Sequence, residues 1–292
     1  MKLSECIDFY ISYIADKSPH TVKNYKSDLK HFIQAIGDKD IENITKADIA
    51  KFRMYLQMNK KKSSTIARKL ASLNSFFQYF IDIEIINASP ITKSHRPKVS
   101  QKIPASLSDE EIKKILDNIQ SLQDKVIISM MLTTGIRSSE LLNIKRKNII
   151  LYRENQTYSI DYAINNGLKE NDVAFIKIKG KGDKERDIPI SGKTLEILIE
   201  YLKEIPFEDI FPISYYSLWR RIKNIGKSLG IELHPHKLRH TAATMALKSG
   251  TELRIIQELL GHASPTTTAR YAKVGQKALI EATKILSNLL EK

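Results

Sequence analysis

The sequence predicts a mainly α-helical protein with one small β-sheet, divided into two domains by a basic stretch that contains proline. Three observations carry this reading. Apolar residues recur at helical spacing behind capping residues over residues 1–90, and again from residue 194 onward. The period changes to two only between residues 148 and 190. Between the helical blocks, residues 91–104 hold two prolines, five basic residues and no acid, which disfavours helix and reads as a linker. A chain of 292 residues also predicts two domains, at roughly 150 residues each.

Residues 1–90 read as four helices. The first covers residues 3–14 and ends before a turn at Asp16-Lys17. Ser18 caps the second, with Pro19 in its first position, and Val22, Tyr25, Leu29, Phe32, Ile33 and Ile36 form its apolar stripe until Gly37 stops it. Thr45 and Asp48 make a capping pair for the third, which carries Ile49, Phe52, Tyr55 and Leu56. Lys60, Lys61, Lys62, Ser63 and Ser64 interrupt, and the fourth runs from Thr65 to Ile83 with Ile66, Leu70, Leu73, Phe76, Phe77 and Phe80 on its buried face. Those aromatics keep the period of a core stripe and are read as core, not as a base-stacking surface. His20, Lys23, Lys26, Lys60, Lys61, Lys62, Arg68 and Lys69 are candidates for phosphate contacts, set against the alternative of a solvated charged face.

The second domain, residues 105–292, opens with a capping box at Ser108 and Glu111. An apolar helix over residues 124–134 is too continuously apolar to be anything but central. Gly135 breaks it, Ser138 or Ser139 caps the next helix, and Arg137 sits on the tight turn between them as either an ion-pair partner for Glu140 or an anion clamp. Phe175 to Lys179 and Arg186 to Ile190 alternate around Gly180-Lys181-Gly182-Asp183, a β-hairpin with Lys181 and Lys184 at its tip. Helices return over residues 195–202 and 216–229.

The densest chemistry follows. His236 and Arg239, three apart behind Pro235, share one face near a helix N-terminus, where backbone N–H groups favour an anion. Gly261 reads as the left-handed residue that closes a helix and directs His262 outward. A short helix capped by Ser264, with Pro265 in its first position, leads to Tyr271. Anion binders thus converge on a phenol, the arrangement of a phosphate site.

Composition bounds the partner. Forty-seven Lys and Arg against 33 Asp and Glu give a net charge of +14, and a polyanion, most commonly DNA or RNA, answers such a charge. Residues 1–104 carry 18 basic and 10 acidic side chains, the denser share of that excess. No apolar run reaches the roughly 20 residues that span a bilayer, and the first residues lack a signal peptide's apolar block, so a cytoplasmic protein is expected. Cys6, the single cysteine, reads as a small buried apolar residue. His234, His236, His240 and His262 match no standard zinc spacing, and the neighbouring arginines repel a cation. The chain shows no phosphate loop for ATP and no carboxylate cluster for a two-metal nuclease, so neither cofactor nor metal is expected.

The Thr134-Gly135-Ile136-Arg137-Ser138-Ser139-Glu140 box, the Gly180-Lys181 hairpin, His236-Lys237-Leu238-Arg239-His240, Leu260-Gly261-His262 and the Tyr271 segment occur together in one order. In this the chain resembles the tyrosine site-specific recombinases, and especially the Xer branch that resolves chromosome dimers. The resemblance implies a four-helix, SAM-like core-binding domain over residues 1–90, a linker over 91–104 and an α+β catalytic domain over 105–292. It implies a clamp on double-stranded DNA at a specific recombination site, a homo-tetramer on DNA, and strand exchange through a Holliday junction and a 3′-phosphotyrosine. The implied catalytic set is Arg137, Lys181, His236, Arg239, His262 and Tyr271, with Lys181 preferred to Lys179 and Lys184 for its Gly-Lys-Gly turn. A mobile-element integrase and a type IB topoisomerase are the alternatives, and the apparent lack of an N-terminal arm-binding domain favours the resolvase.

Two features stand apart from the pattern. The interval between Arg137 and Lys181 is longer than a minimal three-strand connection, so an inserted loop or an extended sheet is expected there. Ala278, Ala282, Ile285, Leu286 and Leu289 repeat at helical spacing over residues 277–290. That helix can fold back on its own domain or, as the resemblance implies, pass to a neighbouring protomer from a hinge at Gly275. The second is the expectation, with a largely monomeric protein that assembles on DNA.

Overall fold

The computed structural model describes residues 1–98, 105–179, 185–261 and 276–288 and divides into two units, Met1–Lys102 and Ile103–Lys292. Among the described residues no helix is long and apolar enough to cross a membrane.

The first unit is built from α1 (Leu3–Tyr13), α2 (Pro19–Ile36), α3 (Lys46–Met58) and α4 (Ser63–Asp82). Local chemistry sets most of their ends. Ser18 accepts a hydrogen bond from the Thr21 N–H at the start of α2, and Gly37, at φ 88°, terminates it. Thr45 and Asp48 form the reciprocal capping box of α3. The fourth helix begins two residues earlier than expected, because Lys62 and not Thr65 marks its boundary. Its stripe of Phe76, Phe77 and Phe80 is fully buried, with Phe76 edge-on to Tyr10 at 5.4 Å between ring centroids. Phe32 packs likewise on Phe52 at 5.2 Å. Cys6 is buried, and desolvation pushes its thiol up to about 11, so it stays protonated and behaves as an apolar residue. Residues from the expected linker lie against this unit: Ile91 packs on its core, and Arg53 donates to the Ser94 carbonyl at 3.3 Å.

Two candidate phosphate contacts pair with a buried carboxylate. Arg68 donates through both Nη atoms to Asp28, at 2.5 and 2.9 Å, and Lys69, itself buried, donates to Asp28 at 2.7 Å. Ser72 completes the set at 2.8 Å. A carboxylate buried on α2 requires compensating charge, and these two cations supply it from α4. Helical spacing alone could not reveal Asp28 on the facing helix.

The second unit contains α5 (Asp109–Asn118), α6 (Leu122–Thr134), α7 (Ser138–Leu142), β1 (Ile149–Arg153), β2 (Gln156–Ser159), α8 (Ile160–Asn166), β3 (Val173–Lys179), β4 (Glu185–Ser191), α9 (Gly192–Glu204), α10 (Tyr215–Leu229), α11 (Pro235–Lys248), α12 (Leu253–Leu260) and α13 (Gln276–Asn288). As expected from its apolar run, α6 is central, with residues 126–134 all buried. The sheet is antiparallel, in the order β2-β1-β3-β4. The long interval before the hairpin is therefore an extended sheet plus a short helix. Glu154 and Asn155, both at positive φ, make the two-residue turn from β1 to β2. A buried ion pair from Arg153 to Asp172, at 2.5 and 2.8 Å, ties the far end of the excursion back to β1.

The C-terminal helix packs on its own unit in the single chain. Ala282 and Leu286 of α13 are buried within the chain's own second unit. Ser287 accepts from the Thr194 N–H at 3.3 Å and donates to the Ser191 carbonyl at 3.0 Å. In the single chain its apolar face is covered by α6, α9 and β4. The sequence spacing required burial but could not say against what.

Candidate active site

Two glycines shape the site. Gly135 ends α6 and Gly261 ends α12, both in the left-handed region at φ 59° and 62°. Each is also crowded: a Cβ at Gly135 would collide with the Leu260 side chain, and one at Gly261 with the Arg186 guanidinium. Only glycine meets both demands. The carbonyls at these helix ends have no helical partner, and arginines take them.

Arg137 leaves the α6–α7 turn as the N-cap residue of α7. Neither Ser138 nor Ser139 caps that helix; instead the Arg137 backbone N–H donates to Glu140 Oε2 at 2.9 Å. Of the open alternatives for its side chain, the ion pair to Glu140 is present. One Nη donates to Glu140 Oε1 at 2.8 Å and the other to the Gly261 carbonyl at 2.7 Å, while about a third of the side chain stays accessible. From α11, Arg239 donates to the Gly135 carbonyl at 2.5 Å and the Leu260 carbonyl at 2.6 Å. Burial, and then the nearby Arg137, push its guanidinium down to about 10, so it remains charged at neutral pH. Both arginines are thereby anchored on the last residues of α12, immediately before His262.

His236 lies exposed on the first turn of α11. Ahead of it, His234 is the N-cap: its Nδ1 accepts the Lys237 N–H at 3.1 Å. Burial holds this imidazole below its ordinary value, in keeping with a neutral acceptor. Among the described residues, no group of three or more His, Cys, Asp or Glu side chains could hold a metal ion. Lys181, His262 and Tyr271 lie outside the described residues.

The residue that sequence reasoning passed over is Arg186 on β4. It meets Glu140 in a fork-to-fork pair, Nη1 to Oε1 and Nη2 to Oε2, both at 2.9 Å. Burial raises the Glu140 carboxyl, but the bonds from Arg186 and Arg137 outweigh it and hold the group below 4.5. A signal was present: Arg186 shares strand parity with Ile188 and Ile190, so it lies on the buried face of the sheet. An arginine there needs a buried partner.

The arrangement can receive an anion. Arg137, Arg186 and Arg239 stand against one carboxylate, and two of the three are held partly by neutral carbonyls that do not cancel their charge. A family model described as the phage integrase family matches residues 105–277, and one for the phage integrase N-terminal SAM-like domain matches residues 7–83. Tyrosine recombinase XerD of Listeria monocytogenes serotype 4b is 30% identical over an alignment covering 91% of this chain and 92% of its own length. Tyrosine recombinase XerC of Staphylococcus epidermidis is also 30% identical, over 95% of this chain and 94% of its own. Among solved structures, a lambda integrase dimer bound to a COC′ core site has a TM-score of 0.69 at 20% identity, covering 94% of this chain and 99% of that one, a likeness of fold. With one model matched over the greater part of the second unit, and full-length relatives at 30% identity, the chain belongs to the phage integrase family of tyrosine recombinases.

Proposed function

We propose that this protein is a site-specific recombinase that cuts and rejoins double-stranded DNA, with Tyr271 as nucleophile. The observation that carries the reading is the anchoring of Arg137 and Arg239 on the carbonyls of Gly135, Leu260 and Gly261. Their remaining N–H donors fit the nonbridging oxygens of a phosphodiester, where negative charge grows as the phosphorus is attacked. The Tyr271 hydroxyl bonds to phosphorus and the bond to the 5′-oxygen breaks. His236 takes part in moving the phenol proton, His262 donates to the same phosphate, and Lys181 protonates the departing 5′-oxygen. The 3′-phosphotyrosine keeps the bond energy, so attack by a second 5′-hydroxyl rejoins a strand without ATP. Strand exchange proceeds within a homo-tetramer through a Holliday junction.

Near-equal identity to XerC and XerD relatives supports a resolvase of chromosome dimers, with a mobile-element integrase as the alternative. One experiment tests chemistry and role together. The protein is incubated with sheared DNA from its host and denatured, and the DNA still attached is sequenced. Covalent adduct at one chromosomal site is expected, and adducts at element ends would assign an integrase. Tyr271→Phe is expected to remove the adduct while DNA binding persists. Adduct from that variant would move the nucleophile elsewhere.

A further inference from the structure

Arg186 has no role in the chemistry just described, yet its surroundings are unusual. It holds both oxygens of buried Glu140. Its guanidinium lies against Gly261, where a Cβ would fall 2.5 Å from Cζ. Its Nε is buried with no hydrogen-bond partner among the described residues. A buried, unmet donor is a cost, and a strand-to-helix staple could be made from two apolar side chains without it.

Building on the recombinase reading, we propose that Arg186 is a positioning residue that keeps Arg137 available to the scissile phosphate by occupying Glu140. Glu140 lies three residues beyond Arg137 and already accepts its backbone N–H. A carboxylate so placed attracts the Arg137 fork, and a two-bond pair would neutralise the cation. Arg186 takes the fork-to-fork approach instead. Arg137 is left with one side-chain bond to Glu140 and turns its other Nη to the Gly261 carbonyl, an acceptor that orients it without cancelling its charge. The trio thus carries one net positive charge; with Arg186 removed it would carry none, and only Arg239 would face the phosphate uncompensated.

The test compares two substrates that differ at one nonbridging oxygen, which carries the charge in the first and is replaced by methyl in the second. A nicked duplex of the sequence recovered from trapped adducts is made with an ordinary scissile phosphodiester, and again with an uncharged methylphosphonate in its place. Covalent adduct formation is timed for the wild type, Arg186→Gln and the double variant Glu140→Gln/Arg186→Gln. On the phosphodiester, Arg186→Gln is expected to slow cleavage about 100-fold, the scale of one lost oxyanion donor. On the methylphosphonate, which carries one negative charge fewer throughout the reaction, its deficit relative to wild type should stay under about 10-fold. The double variant should recover most of the phosphodiester rate, because an amide cannot neutralise Arg137. Equal deficits on both substrates, or a double variant no faster than the single one, would make Arg186 a structural staple and overturn the inference. Circular dichroism melts confirm that each variant folds. Should Arg186→Gln fail to fold, Arg186→Lys, which keeps the charge and loses the fork, is read by the same substrate ratio. A wild type that forms no adduct on the phosphodiester would instead strike the recombinase reading itself.

Discussion

In the first unit Asp28 gathers Arg68, Lys69 and Ser72; in the second, Glu140 gathers Arg137 and Arg186. Each is a buried carboxylate between two cations. Around Asp28, Arg68 gives both Nη atoms to the carboxylate, Lys69 and Ser72 complete the set, and the cluster joins α2 to α4. Around Glu140 only Arg186 is committed to the carboxylate by both Nη atoms, while Arg137 divides its fork between carboxylate and carbonyl. Arg239, beside them, forms no ion pair among the described residues and is held by carbonyls alone. The acceptor decides the outcome. A carboxylate positions a guanidinium and neutralises it, whereas a helix-end carbonyl positions it and leaves its charge for a ligand.

The contrast predicts opposite consequences for the two clusters. Arg239→Ala should lower the rate of adduct formation by about 10³-fold while leaving a cooperative thermal melt; a rate within a few fold of wild type would end the argument that carbonyl-held charge serves the phosphate. Asp28→Asn should do the reverse. It leaves Lys69 buried without its counter-charge and should destabilise the first unit by about 3–5 kcal/mol. Urea denaturation followed by circular dichroism reads the loss, and a variant as stable as wild type would mean that water already compensates these cations.

Acid sharpens the comparison further. Burial raises the Asp28 carboxyl, but hydrogen bonds from Arg68, Lys69 and Ser72 outweigh it and hold the group below its ordinary 3.8. A folded value depressed in this way stabilises the fold above the unfolded value, and the contribution is lost as pH falls through the folded one. Wild type should therefore lose stability more steeply than Asp28→Asn as pH drops below 3.8; parallel curves would deny the cluster its role. The smallest effect expected is at α13. Ser287 serves the start of α9 from another helix, and Ser287→Ala should cost about 1 kcal/mol, measurable as a lower urea midpoint. An unchanged midpoint would indicate that α13 contributes no cap there.

Local order along the chain determined a good deal of this protein. Ser18 with Pro19, Thr45 with Asp48 and Ser108 with Glu111 mark helix starts through bonds that span three residues. The alternation of Phe175 to Lys179 and Arg186 to Ile190 reads as the β3–β4 hairpin because side-chain direction follows residue parity. Gly135 and Gly261 were legible as helix stops, because residue type carries that conformation. Partners far apart in sequence were decided only by tertiary structure. Asp28 lies 41 positions from Lys69 and Glu140 lies 46 from Arg186, so no local period links them. Lys69 looked like an exposed cation until the facing helix supplied a carboxylate, and Arg186 looked like an ordinary strand residue until α7 did the same. The apolar face of α13 shows the same limit: periodicity demands that it be buried, but only packing against α6, α9 and β4 selects the surface that covers it.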